Sequence, residues 1–412
     1  MSMKTRTTRL SVAVVLPLVL SSLVVGDVTR EPLPPMTAEK WRADVDFFAR
    51  ELPKRHKNAY HAITPDQFAS AVAGLRAKVG RAHDDEMIVG LMQLTAMVGD
   101  CHTRVNLPSS LHQYPIGVAQ IEGSYRIVRG AASAAELVGG KLLRIDDTPV
   151  ETAVVRIRSI IAQQERENDV LIAAMTPQWF SVAEVMHGLG ITRSPASARI
   201  TVLLDDGSER SADVAAIDST AKPQWRAAAA SQPLYRQQMA ESLTFTWLAE
   251  TQTVYVNFRS YEDLGKKARE LWSFVDSHPA RKIVIDLRQN GGGDFNVGRK
   301  HMVDNVASRP KLRPYVLIGG RTGSAAVKNA IDFRTVAKAT LVGEAIGERP
   351  NSYSENDEFR LPHTRMEISY STEYYKFLPD DDGLVRPDKE ILPTWADWVA
   401  GRDPVLDWVV SQ

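Results

Sequence analysis

The chain has 412 residues; 44% are apolar, 24% are charged, and 50 Lys and Arg balance 50 Asp and Glu. That composition is ordinary for a folded globular chain and excludes a disordered chain or a membrane bundle. The balanced charge, with no Lys/Arg stripe interleaved with aromatics, argues against nucleic acid or an anionic membrane as a partner.

At roughly 100–200 residues per domain, two or three folded units are expected. The first 26 residues read as a separate segment. Lys4, Arg6 and Arg9 precede an apolar run from Leu10 to Val25, the order found in a secretory signal peptide. The run is shorter than the ~20 residues of a spanning helix. It predicts a protein exported to the periplasm or secreted, with an uncleaved N-terminal anchor as the alternative. Cys101 is the sole cysteine, so no disulfide within the chain and no Cys-based zinc site are expected. Nine scattered histidines lack ligand spacing, and no metal or cofactor is predicted.

After a Pro-rich linker (Glu31 to Pro35), residues 37–110 read as an N-terminal helical unit. Thr64, Pro65 and Gln67 form a capping box with proline at the first helical position. Phe68, Val72, Leu75 and Val79 then fall on one face, and Gly80 is a stop signal. A third helix carries Ile88, Leu91, Met92 and Val98 and ends at Gly99.

Residues 113–218 change to strands. Ile116 to Gln120, Tyr125 to Arg129, Lys141 to Ile145 and Arg199 to Leu204 look extended, with Asp146-Asp147 as a turn and Asp206-Gly207 as a hairpin signal. Val154 to about Gly190 reads as a mostly helical insertion. Gly140, Leu143, Ile145 and Asp146, after a helix start at Glu136-Leu137, resemble the core of a PDZ-like module. Such modules add an extended peptide to a sheet edge; a β-rich spacer with no ligand is the competing reading.

Residues 236–410 alternate strands and helices. Thr253 to Phe258, Lys282 to Leu287, Pro314 to Ile318 and Thr340 to Val342 are strand-like, and Leu271, Trp272 and Val275 mark a helix between the first two. This is an α/β layer pattern with parallel pairing.

Three segments carry possible chemistry. The strand Ile283 to Leu287 runs into Gly291-Gly292-Gly293, which permits positive φ and brings bare N–H groups close to a ligand. A second strand ends in Gly319-Gly320, with Ser324 at the start of a helix. A serine there is either a helix cap or an exposed nucleophile. The third segment is Asp100-Cys101-His102-Thr103, where a lone histidine near a helix end is usually structural.

The run Asp286, Arg288, Asn290, Gly292, Gly293 resembles the motif of the tail-specific, or C-terminal processing, serine proteases and their tricorn-like relatives. Gly323-Ser324-Ala325, Gly343-Glu344, Asp100-x-His102-Thr103 and Pro387-Asp388 match in order. The resemblance implies an α/β catalytic core of the ClpP/crotonase kind, joined to the helical unit and the PDZ-like module. One branch pairs its serine with a lysine 25 residues downstream, where this chain has Arg349, which stays protonated and cannot act as base. The resemblance is therefore to the tricorn-like branch, with a histidine base. It implies Ser324 as nucleophile, His102 as general base and acid, and the N–H groups of Gly292 and Ala325 as oxyanion donors. Asp381, in the run Asp380-Asp381-Asp382-Gly383, is the expected orienting acid.

The expected activity is serine-type hydrolysis of peptide bonds in polypeptide tails or short peptides. A homo-oligomer is compatible with the sequence. The alternatives are a catalytically silent ligand-binding protein on the same fold and an esterase-like acyl hydrolase. Lys328 is expected to face solvent, His363 is a rival base, and Cys101 a rival nucleophile. Gly323 stands where relatives often carry a bulkier residue.

Overall fold

A computed structural model describes residues 33–162, 168–379 and 383–412. The segment read as a signal peptide and Asp381 lie outside the described residues. Among those described, no helix is long and apolar enough to cross a membrane.

The N-terminal helices run Ala38–Arg55, Pro65–Lys78 and Asp84–Val98. The second starts at the expected capping box: Thr64 accepts from the Gln67 N–H, and the Gln67 side chain returns to the Thr64 N–H. The third stops at Gly99, whose φ of 102° is left-handed, a conformation that glycine adopts without a Cβ penalty. Their apolar faces, including Phe48, Phe68, Leu75 and Leu91, share one core with the β-rich region. Each fully buried side chain of this kind stabilises by ~1.5–3 kcal/mol.

The β-rich region is an antiparallel sheet built on Ile116–Ile121, Ser124–Gly130, Lys141–Ile145, Ser197–Leu203 and Glu209–Ala215. Asp146 takes φ 47° at the expected turn. The segment between Lys141–Ile145 and Ser197–Leu203 is helical at Val150–Arg158, Asp169–Trp179 and Ala183–Gly188. The helix start expected at Glu136-Leu137 is instead the end of a short 3₁₀ turn, Ala132–Leu137.

The C-terminal sheet has six strands in the order Leu243–Leu248, Thr253–Phe258, Lys282–Asp286, Arg313–Ile318, Thr340–Gly343, Lys389–Glu390. Its first pair is antiparallel and the rest are parallel. The central strands are apolar on both faces, as parallel strands covered by helices must be. One face carries Ile283, Ile285, Val316 and Ile318 in one core. The other packs Tyr255, Val284 and Leu317 against Val405 and Val409 of the last helix.

A long antiparallel hairpin, Asn351–Arg360 with Glu367–Lys376, leaves this sheet and pairs with Arg104–Asn106 just after the third helix. Phe359, Ile368 and Tyr370 enter the N-terminal core. The hairpin therefore brings the loop after the third helix to the C-terminal sheet. The overall architecture is mixed α/β with several sheets, and the site lies where its two main cores meet.

Candidate active site

Ser324 sits between the strand Arg313–Ile318 and the helix Ala325–Thr335. Its backbone has φ 48° and ψ −124°, a conformation that costs a residue with a Cβ on the order of 1–3 kcal/mol and collects at functional turns. Neighbouring loops fix this turn. The Gly323 N–H donates to Asn290 O at 3.0 Å, Thr322 Oγ1 to Leu287 O at 2.9 Å, and the Gly320 N–H to Glu344 Oε2 at 3.1 Å. The Ser324 N–H donates to Glu348 Oε2 at 2.5 Å.

The glycine segment is anchored by the polar residues of its own motif. Asp286 and Asp403 flank the Arg288 guanidinium, with contacts from 2.6 to 3.2 Å. Burial drives the Asp403 carboxyl up, but the Arg288 charge and its hydrogen bonds outweigh this and hold it below the usual carboxylate value. Asn290 donates to Phe258 O at 2.9 Å, and its carbonyl oxygen accepts the Gly292 N–H at 2.9 Å. Gly292 has φ 110°, and a Cβ there would lie 2.5 Å from the Ser324 Cβ. No side chain fits between these loops.

His102 is 9% exposed. Asp100 shapes its turn by accepting from the Thr103 N–H at 2.8 Å and from Ser371 Oγ at 2.7 Å, and it meets His56 Nε2 at 2.9 Å. Burial raises the Asp100 carboxyl, yet the hydrogen bond and charge of His56, followed by the Ser371 bond, bring it below its ordinary value.

The fold brings His102 and Ser324 together, with Nε2 3.3 Å from Ser324 Oγ. The same nitrogen is 3.3 Å from Ser354 Oγ on the hairpin. On the other side of the ring, Nδ1 is 3.6 Å from Cys101 Sγ and 4.0 Å from Glu348 Oε1. Glu348 thus touches the serine backbone with one oxygen and faces the imidazole with the other. Gly323 makes this possible, since a Cβ there would lie 3.1 Å from Glu348 Oε2. Sequence reading passed over Glu348 and Ser354. The available signal for Glu348 was its place one residue before Arg349, at the position where the lysine branch carries its base.

Ala325 is the first helical residue, so its N–H has no acceptor within the helix, and its nitrogen would lie 3.0 Å from a Cβ added at Gly292. The other candidates lie elsewhere or in unsuitable surroundings. His363 is in the turn of the hairpin, its N–H donated to Asp44 at 2.9 Å. Lys328 pairs with Asp332 one helical turn on. Burial, then the charges of Glu348 and Asp100, push the Cys101 thiol well above its ordinary value, the opposite of the environment that activates a cysteine. Glu344, raised by burial, and Asp388, which accepts the Leu341 N–H at 2.8 Å, hold backbone.

Two cavities flank the site. One is lined by Ser324, Arg349, Ser354 and Phe377. The other, larger, is lined by Cys101, Gly291 and Gly323 and by the apolar side chains of Met92, Leu171 and Trp179. Glu348 borders both.

No protein-family model matches the chain, and no curated protein sequence matches it. Solved structures do. Mature CPAF aligns over 90% of this chain and 96% of its own, with a TM-score of 0.60 and 13% identity. Mature CPAF complexed with lactacystin aligns over 90% and 98%, with a TM-score of 0.58 and 12% identity. The photosystem II D1 C-terminal processing protease aligns over 89% and 98%, with a TM-score of 0.42 and 13% identity. At this identity the likeness is one of fold: over nine-tenths of its length, the chain is folded like mature CPAF.

Proposed function

We propose that the chain is a serine-type peptidase that hydrolyses peptide bonds of polypeptide tails or short peptides. The observation that carries this reading is the 3.3 Å approach of His102 Nε2 to Ser324 Oγ at a strained strand-to-helix turn. A serine hydroxyl needs a neighbouring base to become an effective nucleophile, and imidazole suits that role.

Ser324 attacks the substrate carbonyl while His102 Nε2 takes the hydroxyl proton. The Ala325 N–H and a glycine N–H receive the oxyanion, each donor being worth ~3 kcal/mol to the transition state. The family resemblance assigns that role to Gly292; its N–H exchanges the Asn290 acceptor for the oxyanion. His102 then returns the proton to the leaving amine, and water hydrolyses the acyl-serine by the same steps reversed. The Glu348 carboxylate faces Nδ1 and balances the imidazolium as it forms. An acid from the 380–382 run, Asp381 by the family resemblance, would supplement it from outside the described residues.

The antiparallel sheet around Lys141–Ile145 supports reading residues 113–218 as a PDZ-like module with a helical insertion, and the helix-covered parallel strands support a ClpP/crotonase-like core. The apolar wall of the larger cavity suits an apolar substrate side chain. Export remains the expectation of the N-terminal charged-then-apolar pattern.

The test is turnover of an unfolded polypeptide and of matched peptide and ester substrates by wild type and Ser324→Ala. Peptide cleavage lost in the variant supports the reading. Ester cleavage alone favours an acyl hydrolase, and turnover of neither a binding protein.

A further inference from the structure

His102 presents two different faces. Nε2 looks at hydroxyls, whereas Nδ1 looks at a thiol and a carboxylate. The ligand atoms of Cys101, His102 and Glu348 lie within 4.8 Å of one another. In a tetrahedral zinc site, with Zn–N of ~2.0 Å and Zn–S of ~2.3 Å, the N···S edge is about 3.5 Å. Cys101 Sγ and His102 Nδ1 are already 3.6 Å apart. The 4.0 Å from Nδ1 to Glu348 Oε1 must shrink by about 0.6 Å to match an N···O edge of about 3.4 Å, and the Cys101–Glu348 edge, within 4.8 Å, must close to about 3.6 Å.

We propose that Cys101, His102 Nδ1 and Glu348 bind a thiophilic divalent cation such as Zn²⁺, and that this binding switches the serine site off. The effect on Ser324 rests on the reading of His102 as its base; the metal site itself does not. The ligand set, one thiolate, one imidazole and one carboxylate, suits zinc and leaves a fourth position for water. On binding, Cys101 gives up its thiol proton to solvent. A metal on Nδ1 occupies that lone pair and leaves the ring proton on Nε2. Nε2 then donates to Ser324 Oγ and has no lone pair to accept the hydroxyl proton. No sequence spacing reveals the site, because Glu348 is remote from the Cys101-His102 pair and the fold supplies it.

The test uses the whole protein kept reduced. Co²⁺ added to wild type is expected to give a thiolate-to-cobalt charge-transfer band and the visible bands of tetrahedral cobalt, saturating at one ion per chain and displaced by Zn²⁺. The same spectrum is expected in Ser324→Ala. Cys101→Ser should lose the charge-transfer band and bind at least about tenfold more weakly, since even residues one step removed from a metal cost that much. In turnover assays, Zn²⁺ should inhibit wild type reversibly, with a chelator restoring activity, and the inhibition constant of Cys101→Ser should rise by the same factor. Absence of the charge-transfer band in wild type overturns the site, as does zinc inhibition that is unchanged in Cys101→Ser. The cobalt spectrum needs no turnover, so an inactive protein with the band sinks only the hydrolase reading. An active protein without it sinks only the metal site.

Discussion

Glu348 accepts the backbone N–H of Ser324 at 2.5 Å, and its second oxygen stands 4.0 Å from His102 Nδ1. One buried carboxylate therefore acts on both partners of the proposed proton transfer. It holds the serine turn through the main chain and faces the side of the imidazole that becomes positive. Glu348→Gln keeps an acceptor for the serine N–H and removes the charge. A long contact is weaker than a direct hydrogen bond, so kcat should fall by roughly 10- to 100-fold, with KM little changed. Steady-state kinetics on a peptide substrate check this. An unchanged kcat would assign Glu348 to holding the turn alone.

Two hydroxyls compete for His102 Nε2, those of Ser324 and Ser354, each at 3.3 Å. Only Ser324 lies at a strained turn beside a helix N-terminus. Ser354→Ala removes a hydrogen bond worth about 1 kcal/mol, so turnover should change by no more than about fivefold. Ser324→Ala should lose at least about 10³-fold. Parallel rate measurements on the two variants separate nucleophile from neighbour.

Gly292 is required by space as well as by conformation, since an added Cβ would lie 2.5 Å from the Ser324 Cβ. Gly292→Ala should abolish turnover by at least about 10²-fold and lower stability by ~1–3 kcal/mol. Gly207 provides the control: its φ is 82°, but nothing lies within 4 Å of a methyl added there. Gly207→Ala should cost about 1 kcal/mol with full activity. Thermal unfolding alongside kinetics distinguishes strain from loss of the site.

Acid should loosen the anchor of the glycine segment. The Asp403 carboxyl is held below its ordinary value in the folded chain, chiefly because Arg288 outweighs the effect of burial. A depressed carboxylate contributes stability that is complete above its unfolded value of about 3.9 and is lost as pH falls through its folded value. Unfolding midpoints should therefore drop below about pH 4. Asp403→Asn should be less stable near neutrality by about 3 kcal/mol, as expected for a broken buried pair, and should show a shallower acid dependence. Denaturation at several pH values measures both.

Much of the fold was legible because its strands and helices follow apolar periodicity. The strands at Lys282–Asp286 and Arg313–Ile318, and the capped helix Pro65–Lys78, are such cases. The strand Asn351–Arg360 was not, because three of its four buried residues are the polar Asn351, Ser352 and Ser354 rather than an apolar alternation. One of these, Ser354, reaches His102. The sequence placed Ser324, His102 and the glycine segment by motif. Glu348 escaped because its role depends on the meeting of two loops and on the missing Cβ of Gly323, neither of which leaves a local pattern.

The central claim is that His102 takes the proton of Ser324. Its most direct measurement is the rate of covalent labelling by a fluorophosphonate, with the modified residue located by peptide mapping. Wild type should be labelled at Ser324, Ser324→Ala not at all, and folded His102→Ala at least about 10²-fold more slowly. Equal labelling of His102→Ala and wild type, or no labelling at Ser324 in the folded wild-type protein, would contradict it.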